Sequence, residues 1–431
     1  MIQDYLKFLD NSKTKFQAID ITRKMLNDNG FKETNEGDSY KGLDKFYIVR
    51  NNSSIIAINK PLDFKNKSIN IICTHTDSPS FKINENSTIN VSGYNTLETE
   101  VYGGPIYSSW FDRPLSIGGR VVVKDNDSIK QINIAFKNSV CTIPNLCIHF
   151  NRDINKGHEY TLDEMKPILS NSDDIYDLLK KEYKIDRENI LSFELELFNN
   201  EKPTYVGAKK EFYMASRIDN LGSHYTALKA FIDTSNNTFI DSSCDTFKVF
   251  ASFDNEEAGS QSMQGAGSEF LSTTIKRVFI ENDLDIIDYY KSLSNSIAIS
   301  ADNAHAIHPN YVSKSDKMNA PILNDGFVIK ENPNLKYTTD AISKAILIDL
   351  CKKNNIKYQC FHNKPGIAGG STLGNILQRS VSIHMVDIGL PQLAMHSAYE
   401  TAGSKDIEEY YKIMKSFYNI NLSINNSEIK Y

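Results

Sequence analysis

"FKVFASFDNEEAGS", residues 247–260, is the stretch on which the reading of this chain turns. Its first seven residues are rich in aromatic and β-branched side chains and too few for a helix, so they predict a buried strand. The strand runs straight into Asp254, Glu256 and Glu257. Buried carboxylates cost several kcal/mol each unless a cation neutralises them. The stretch therefore predicts a sheet that gathers a charged ligand at its strand ends, where open α/β sheets bind.

The surrounding sequence supports such a sheet. "SINIICTHTD" (68–77) predicts another buried strand, and "KFYIVRNNSSIIAINK" (45–60) a hairpin. Residues 13–28 carry apolar positions at helical spacing, with Gly30 placed to end that helix. From about Ser216 onward helices and strands alternate. A helix to Asp233 is followed by the strand at 247, a helical stretch near 265–275 and the strand "SIAIS" (296–300). A helix over 339–354, the strand "IKYQCF" (356–361), a glycine-rich loop opening a short helix, and the strand "SIHMVDI" (382–388) complete the series. The fold class expected is α/β, a mixed sheet with helices on both faces. Between residues 86 and 205 the texture changes to short strands and turns, which predicts an inserted, mainly β domain. The α/β domain is then discontinuous, 1–85 and 206–431.

Composition limits the function. With 431 residues, 40% hydrophobic and 24% charged, the chain has ample material for a large core. A net charge of −6 without a basic run argues against nucleic acid. No apolar stretch approaches the roughly 20 residues of a membrane helix, and the first residues lack a signal-peptide profile, so no membrane partner and a cytoplasmic location are expected. Six scattered cysteines (Cys73, Cys141, Cys147, Cys244, Cys351, Cys360) form no C-x-x-C pair and read as reduced, small hydrophobes.

Five segments place a hard or borderline metal ligand at a strand end or helix start: His75 with Asp77, Asp219, Glu256 with Glu257, Asp302 with His305 and His308, and His396. Each alone reads as readily as a core histidine, a helix-start charge, a cap or a solvated loop. Together they predict a catalytic centre for zinc, manganese or cobalt, since structural zinc sites lean on thiolates. Adjacent glutamates point apart in an extended or turning segment, so one can bind metal while the other accepts a proton from water.

The segments "CTHTDSPSFKI", "YGGPIYSSWFDRPLSIGGRV", "IPNLCIHFNRDINKG", "ASRIDNLGS", "FDNEEAGS", "ISADNAHAIHPNY", "AGGSTLGNI" and "VDIGLPQLAMHSAYE" together resemble the aspartyl aminopeptidase family of two-zinc metallopeptidases, in order and over nearly the whole chain. The resemblance implies two Zn2+ per subunit, with Mn2+ or Co2+ as substitutes. It implies His75 and Asp302 on the first ion, Glu257 and His396 on the second, and Asp219 bridging. Asp77 would orient His75, and Glu256 would be the general base for a zinc-bridged hydroxide that cleaves the first peptide bond. It further implies substrate contacts from His149, Lys330, Gly369 and Gly370. Lys330 would pair with an acidic first side chain, and His149 would lie in an insert that mediates dimerisation and reaches a neighbouring subunit's site. His305 and His308 read as supporting structure.

The expectation is a metalloaminopeptidase that removes N-terminal Asp or Glu from peptides and assembles as a homododecamer built from dimers. The alternatives are a two-metal enzyme of neutral specificity and a non-catalytic assembly protein on the same shell. A thiol hydrolase would have to use Cys73, which lies on the predicted strand. Pro114 and Gly119 depart from the family pattern, both inside the insert.

Overall fold

The computed structural model describes residues 1–236, 246–367, 369–425 and 428–431. The chain opens with two helices, α1 (Ile2–Asn11) and α2 (Lys15–Asp28). Thr14 caps α2 by accepting from the Phe16 N–H. The periodicity at 13–28 thus marked the second helix. The first is short, and it buries Tyr5, Phe8 and Leu9 only by packing on its neighbours.

A nine-stranded mixed sheet forms the centre. Its strands are β1 (Lys32–Glu33), β2 (Lys45–Arg50), β3 (Ser54–Asn59), β4 (Ile69–His75), β13 (Phe247–Phe253), β14 (Ile297–Ala301), β16 (Phe327–Glu331), β17 (Tyr358–His362) and β18 (His384–Gly389), in the order β1-β2-β3-β13-β4-β14-β18-β16-β17. The central strands β13, β4, β14 and β18 run parallel, so their carboxyl ends lie side by side. Alternate residues of β4 face opposite layers. Ile72 joins the core with α1, α2, α4 (Ile218–Asn236), α7 (Ala341–Asn354) and α9 (Asp406–Tyr418), whereas Ile71 and Cys73 join the core with α5 (Phe270–Glu281), α6 (Ile286–Ser294) and α8 (Leu373–Leu377). Helices therefore cover both faces, as expected.

The helical stretch foreseen near 265–275 begins instead at Phe270. Gly265 lies where a Cβ would stand 2.3 Å from the Ser260 carbonyl oxygen, and that carbonyl accepts from the Gly267 N–H, so this stretch is a tight turn.

A second, antiparallel sheet takes the chain from Ser80 to Asn199, in the order β8-β7-β10-β5-β6-β9. Its strands are β5 (Ser80–Val91), β6 (Tyr94–Tyr102), β7 (Leu115–Asp125), β8 (Ser128–Ala135), β9 (Ile168–Ser170) and β10 (Ile190–Asn199), and α3 (Ile175–Tyr183) packs against it. A third sheet, β11 (Thr204–Val206), β12 (Phe212–Ala215), β15 (Ala304–His305), β19 (Pro391–Leu393) and β20 (Glu400–Gly403), lies beside the strand ends of the first. A terminal hairpin, β21 (Ser423–Asn425) and β22 (Glu428–Lys430), completes the chain. Among the described cysteines, Cys73, Cys141 and Cys351 are buried, Cys360 is half-buried and Cys147 is exposed on a turn of the second sheet's long loop. Cys244 lies outside the described residues. No described helix is long and apolar enough to cross a membrane.

Candidate metal centre

The parallel strand ends bring the predicted side chains together. His75 is the last residue of β4, Glu256 and Glu257 occupy a single 3-10 turn just beyond β13, and Asp302 follows β14. Asp219 stands in the first turn of α4, where its own backbone and that of Asn220 depart from helical angles. His396 lies between β19 and β20.

The donor atoms form two linked clusters. His75 Nε2 is 3.6 Å from Asp219 Oδ1 and 3.5 Å from Asp302 Oδ1. His396 Nε2 is 3.7 Å from Asp219 Oδ2 and 3.5 Å from Glu257 Oε2. The two oxygens of Asp219 thus face opposite clusters. Donors about 2.1 Å from a tetrahedral ion stand roughly 3.4 Å from one another, so these separations fit a cation at each focus. Asp219 Oδ1 is buried without a hydrogen-bond partner in the protein, as an oxygen reserved for a cation would be. The nitrogen and oxygen donor set, free of thiolate, suits zinc, manganese or cobalt in a catalytic site.

Asp77 organises one side. Its carboxylate accepts from the Tyr102 hydroxyl at 2.7 Å and from the backbone N–H groups of Glu256 and Glu257, both at 3.1 Å, and it lies 3.4 Å from His75 Nδ1. The Asp77 backbone carbonyl, 3.1 Å from the same His75 Nδ1, fixes the imidazole, while the carboxylate fixes the glutamate turn. Asp254, the third acidic residue of the opening stretch, points elsewhere and forms a buried ion pair with Lys15 at 2.9 Å. The second cluster is braced by the segment that follows β6: the Gly104 carbonyl lies 3.0 Å from His396 Nδ1, and a Cβ on Gly103 would press to 3.0 Å from Glu257 Cβ.

The charges shift one another. Burial, reinforced by Asp302, raises Asp219 to about 6. Burial, with Asp302, Asp77 and Asp219 outweighing His75, raises Glu256 to about 8, and burial with Asp219 lifts Glu257 well above the usual carboxylate range. Asp302 goes the other way: burial opposes its charge, but Lys330 and His75 bring it down to about 2. Protons held by Asp219 and Glu257 must leave when a cation binds.

These residues border a cavity of about 330 Å³ that also touches Lys330, Tyr337, Phe361, Gly370 and Thr372. Lys330 is buried, with Nζ donating to the carbonyls of Asp302 at 2.7 Å and Asn303 at 3.2 Å. His305 lies on the boundary with a neighbouring cavity of about 300 Å³, which holds Gly369 and His308. His149 is on an exposed turn of the second sheet's loop and does not line the cavity of its own chain. The sequence reading gave no role to Glu400. This buried carboxylate accepts from the backbone N–H groups of both Asp219 and His396. The only signal was an acidic residue four positions after His396.

Comparison with known proteins follows the same lines. The family described as Aminopeptidase I zinc metalloprotease (M18) matches residues 8–418. "Probable M18 family aminopeptidase 2" of Clostridium acetobutylicum is 37% identical, covering 96% of this chain and 98% of its own, and the protein of the same description from Clostridium novyi is 38% identical, covering 97% and 98%. Among solved structures, a chain in the cryo-EM structure of the Ape4 and Nbr1 complex superposes with a TM-score of 0.91 at 31% identity, over 97% of this chain and 85% of that one. The S. cerevisiae mApe1 dodecamer gives 0.86 at 25% identity, over 96% and 95%.

Proposed function

The chain belongs to the M18 family of zinc aminopeptidases, and on that premise we propose that it removes N-terminal Asp or Glu from peptides using two zinc ions per subunit. His75 and Asp302 would hold one ion and Glu257 and His396 the other, with Asp219 shared between them. The observation that carries this reading is the division of Asp219, with Oδ1 toward His75 and Oδ2 toward His396.

When bound, the ions supply Lewis acidity, acidifying a water and polarising the scissile carbonyl. The chain's own groups do the rest. Asp77 keeps His75 Nε2 aimed at its cluster through its backbone carbonyl, 3.1 Å from Nδ1, with its carboxylate alongside. Glu256, next to both clusters but assigned to neither, takes the proton of the attacking water and delivers it to the leaving amine. Lys330 offers its ammonium at the cavity wall to a carboxylate on the first residue. Gly370 stands in open space at the wall, where substrate backbone can approach closely.

Between chains, we assign the second sheet to pairing of copies. His149 would reach a neighbour's cavity on the turn that exposes Leu146, Ile148 and Phe150. A dodecamer is the assembly proposed, by analogy with the mApe1 dodecamer.

A second reading, neutral specificity at the same centre, draws support from one observation: two of the three Lys330 donors already serve backbone carbonyls. Hydrolysis of substrates with N-terminal Asp, Glu, Leu, Ala or Lys, run as purified, after chelation and after adding zinc, separates the readings. Chelator-sensitive release confined to Asp and Glu is expected, with Lys330→Ala losing it while its metal content stays at the wild-type level. Metal-dependent release of Leu or Ala, unaffected by Lys330→Ala, would establish the neutral reading instead.

A further inference from the structure

We propose that Glu400 is a positioning residue that holds His396, and through it the second metal, in place; this rests on the two-ion reading above. Glu400 is 2% exposed and opens β20, which pairs with β12, the strand leading towards Asp219. Its Oε2 accepts from the Asp219 N–H at 3.1 Å, and its Oε1 accepts from the His396 N–H at 2.9 Å and from Gln392 Nε2 at 3.0 Å. Three donors converge on two oxygens, so only a group that accepts through both can satisfy them. A carboxylate does so, whereas an amide would turn its NH2 onto one of the backbone N–H groups.

The link continues beneath a third ligand-bearing segment. Gln392 Oε1 accepts from Asn303 Nδ2 at 2.7 Å, and Asn303, next to Asp302, also donates to the Ile218 carbonyl, next to Asp219. Glu400, Gln392 and Asn303 thus tie together the backbones that carry His396, Asp219 and Asp302.

The His396 backbone is held against its own preference. His75 and Asp302 sit at the ends of central strands, but His396 lies on a connection with φ at 68°. A non-glycine residue in the left-handed region is disfavoured and persists only when its surroundings impose it. Here the imposition comes from Glu400 on its N–H and from the Ile106 N–H on its carbonyl at 3.0 Å. Without Glu400, the His396 N–H loses its acceptor and the connection is less constrained to keep Nε2 near Asp219 Oδ2 and Glu257.

The test is metal retention by the full-length protein. Wild type and Glu400→Gln are loaded with zinc, dialysed against graded chelator, and assayed for metal per chain by atomic emission. Cobalt-loaded samples give absorption spectra. Wild type is expected to keep two ions, and the variant to release one of them at a chelator concentration 10- to 100-fold lower, with one of two cobalt environments altered. Gln392→Met, which removes one donor to Glu400 and leaves both backbone bonds, is expected to shift the same ion by a smaller factor. It carries the test if Glu400→Gln does not fold. Release curves and spectra identical to wild type in the folded variants would overturn the proposal. A wild type that holds only one ion would remove the two-ion reading, and this inference with it.

Discussion

Glu256 and Glu257 are neighbours in sequence to which the proposed function gives different work. Glu257 faces His396, while Glu256 borders both clusters without belonging to the proposed ligand set. Glu256→Gln is therefore expected to lower kcat by about 10²- to 10⁴-fold while metal content stays at the wild-type level, measured by parallel kinetics and atomic emission. Loss of metal with loss of activity would make Glu256 a ligand instead. The raised carboxylates also fix a pH dependence. Asp219, raised to about 6, and Glu257, raised well above the usual carboxylate range, hold protons in the metal-free site, so zinc binding displaces protons and tightens as pH rises through the range around 6. Calorimetry in buffers of different ionisation enthalpy should register that release, and it should diminish as pH rises through this range. Lys15 and Asp254 form the buried pair behind the glutamate turn, both side chains no more than 5% exposed. Lys15→Met leaves that carboxylate without its cation and is expected to cost about 3–5 kcal/mol in a denaturant melt.

At the scale of elements, His224 shows how the helical layer is fastened. It lies on α4, with Nε2 2.8 Å from Thr22 Oγ1 on α2, Nδ1 2.8 Å from Ser252 Oγ on β13, and its ring stacked on Phe8 of α1. Burial lowers its pKa to about 3, so the folded protein keeps the imidazole neutral where the unfolded chain protonates it near 6.5. This contribution to stability is complete above pH 6.5 and is lost progressively as pH falls towards 3, by about 1.4 kcal/mol per unit. Urea melts of metal-free wild type and His224→Gln at pH 7 and pH 5 should converge by about 2 kcal/mol at the lower pH. Gly119 gives the second sheet its own constraint. With φ at 143°, a Cβ there would stand 2.0 Å from the Glu194 carbonyl oxygen on the paired strand β10. Any side chain at this position would collide with the paired strand.

For the whole molecule, the centre joins parts of different sheets. The first sheet supplies His75, the glutamate turn and Asp302, and the third flanks His396. The second sheet's β6 leads into the segment that touches His396 and Glu257, and its last residue, Tyr102, holds Asp77. Assembly through the second sheet would then bear directly on the catalytic centre. Light scattering of the purified protein is expected to give a particle on the order of 600 kDa for twelve chains of 48.8 kDa. A stable monomer with full activity would detach assembly from function.

The local chain specified much of this protein. Strands β4, β13, β14 and β18 were legible because a fully buried strand is a short continuous apolar run, and His75, Glu256, Glu257 and Asp302 because each follows such a run within a few residues. Helices α1 and α9 escaped notice, their apolar faces acquiring meaning only once packed together with α4 in one core. Tertiary structure alone decided that Asp254 belongs to Lys15, 239 residues away, and that Lys330 rests on the carbonyls of Asp302 and Asn303. It also decided that Glu400 grips the backbones of Asp219 and His396. Periodicity and motifs record what a residue does within a few positions of itself. A hydrogen bond between distant segments leaves no local trace, because its donor is often a backbone N–H that every residue except proline possesses.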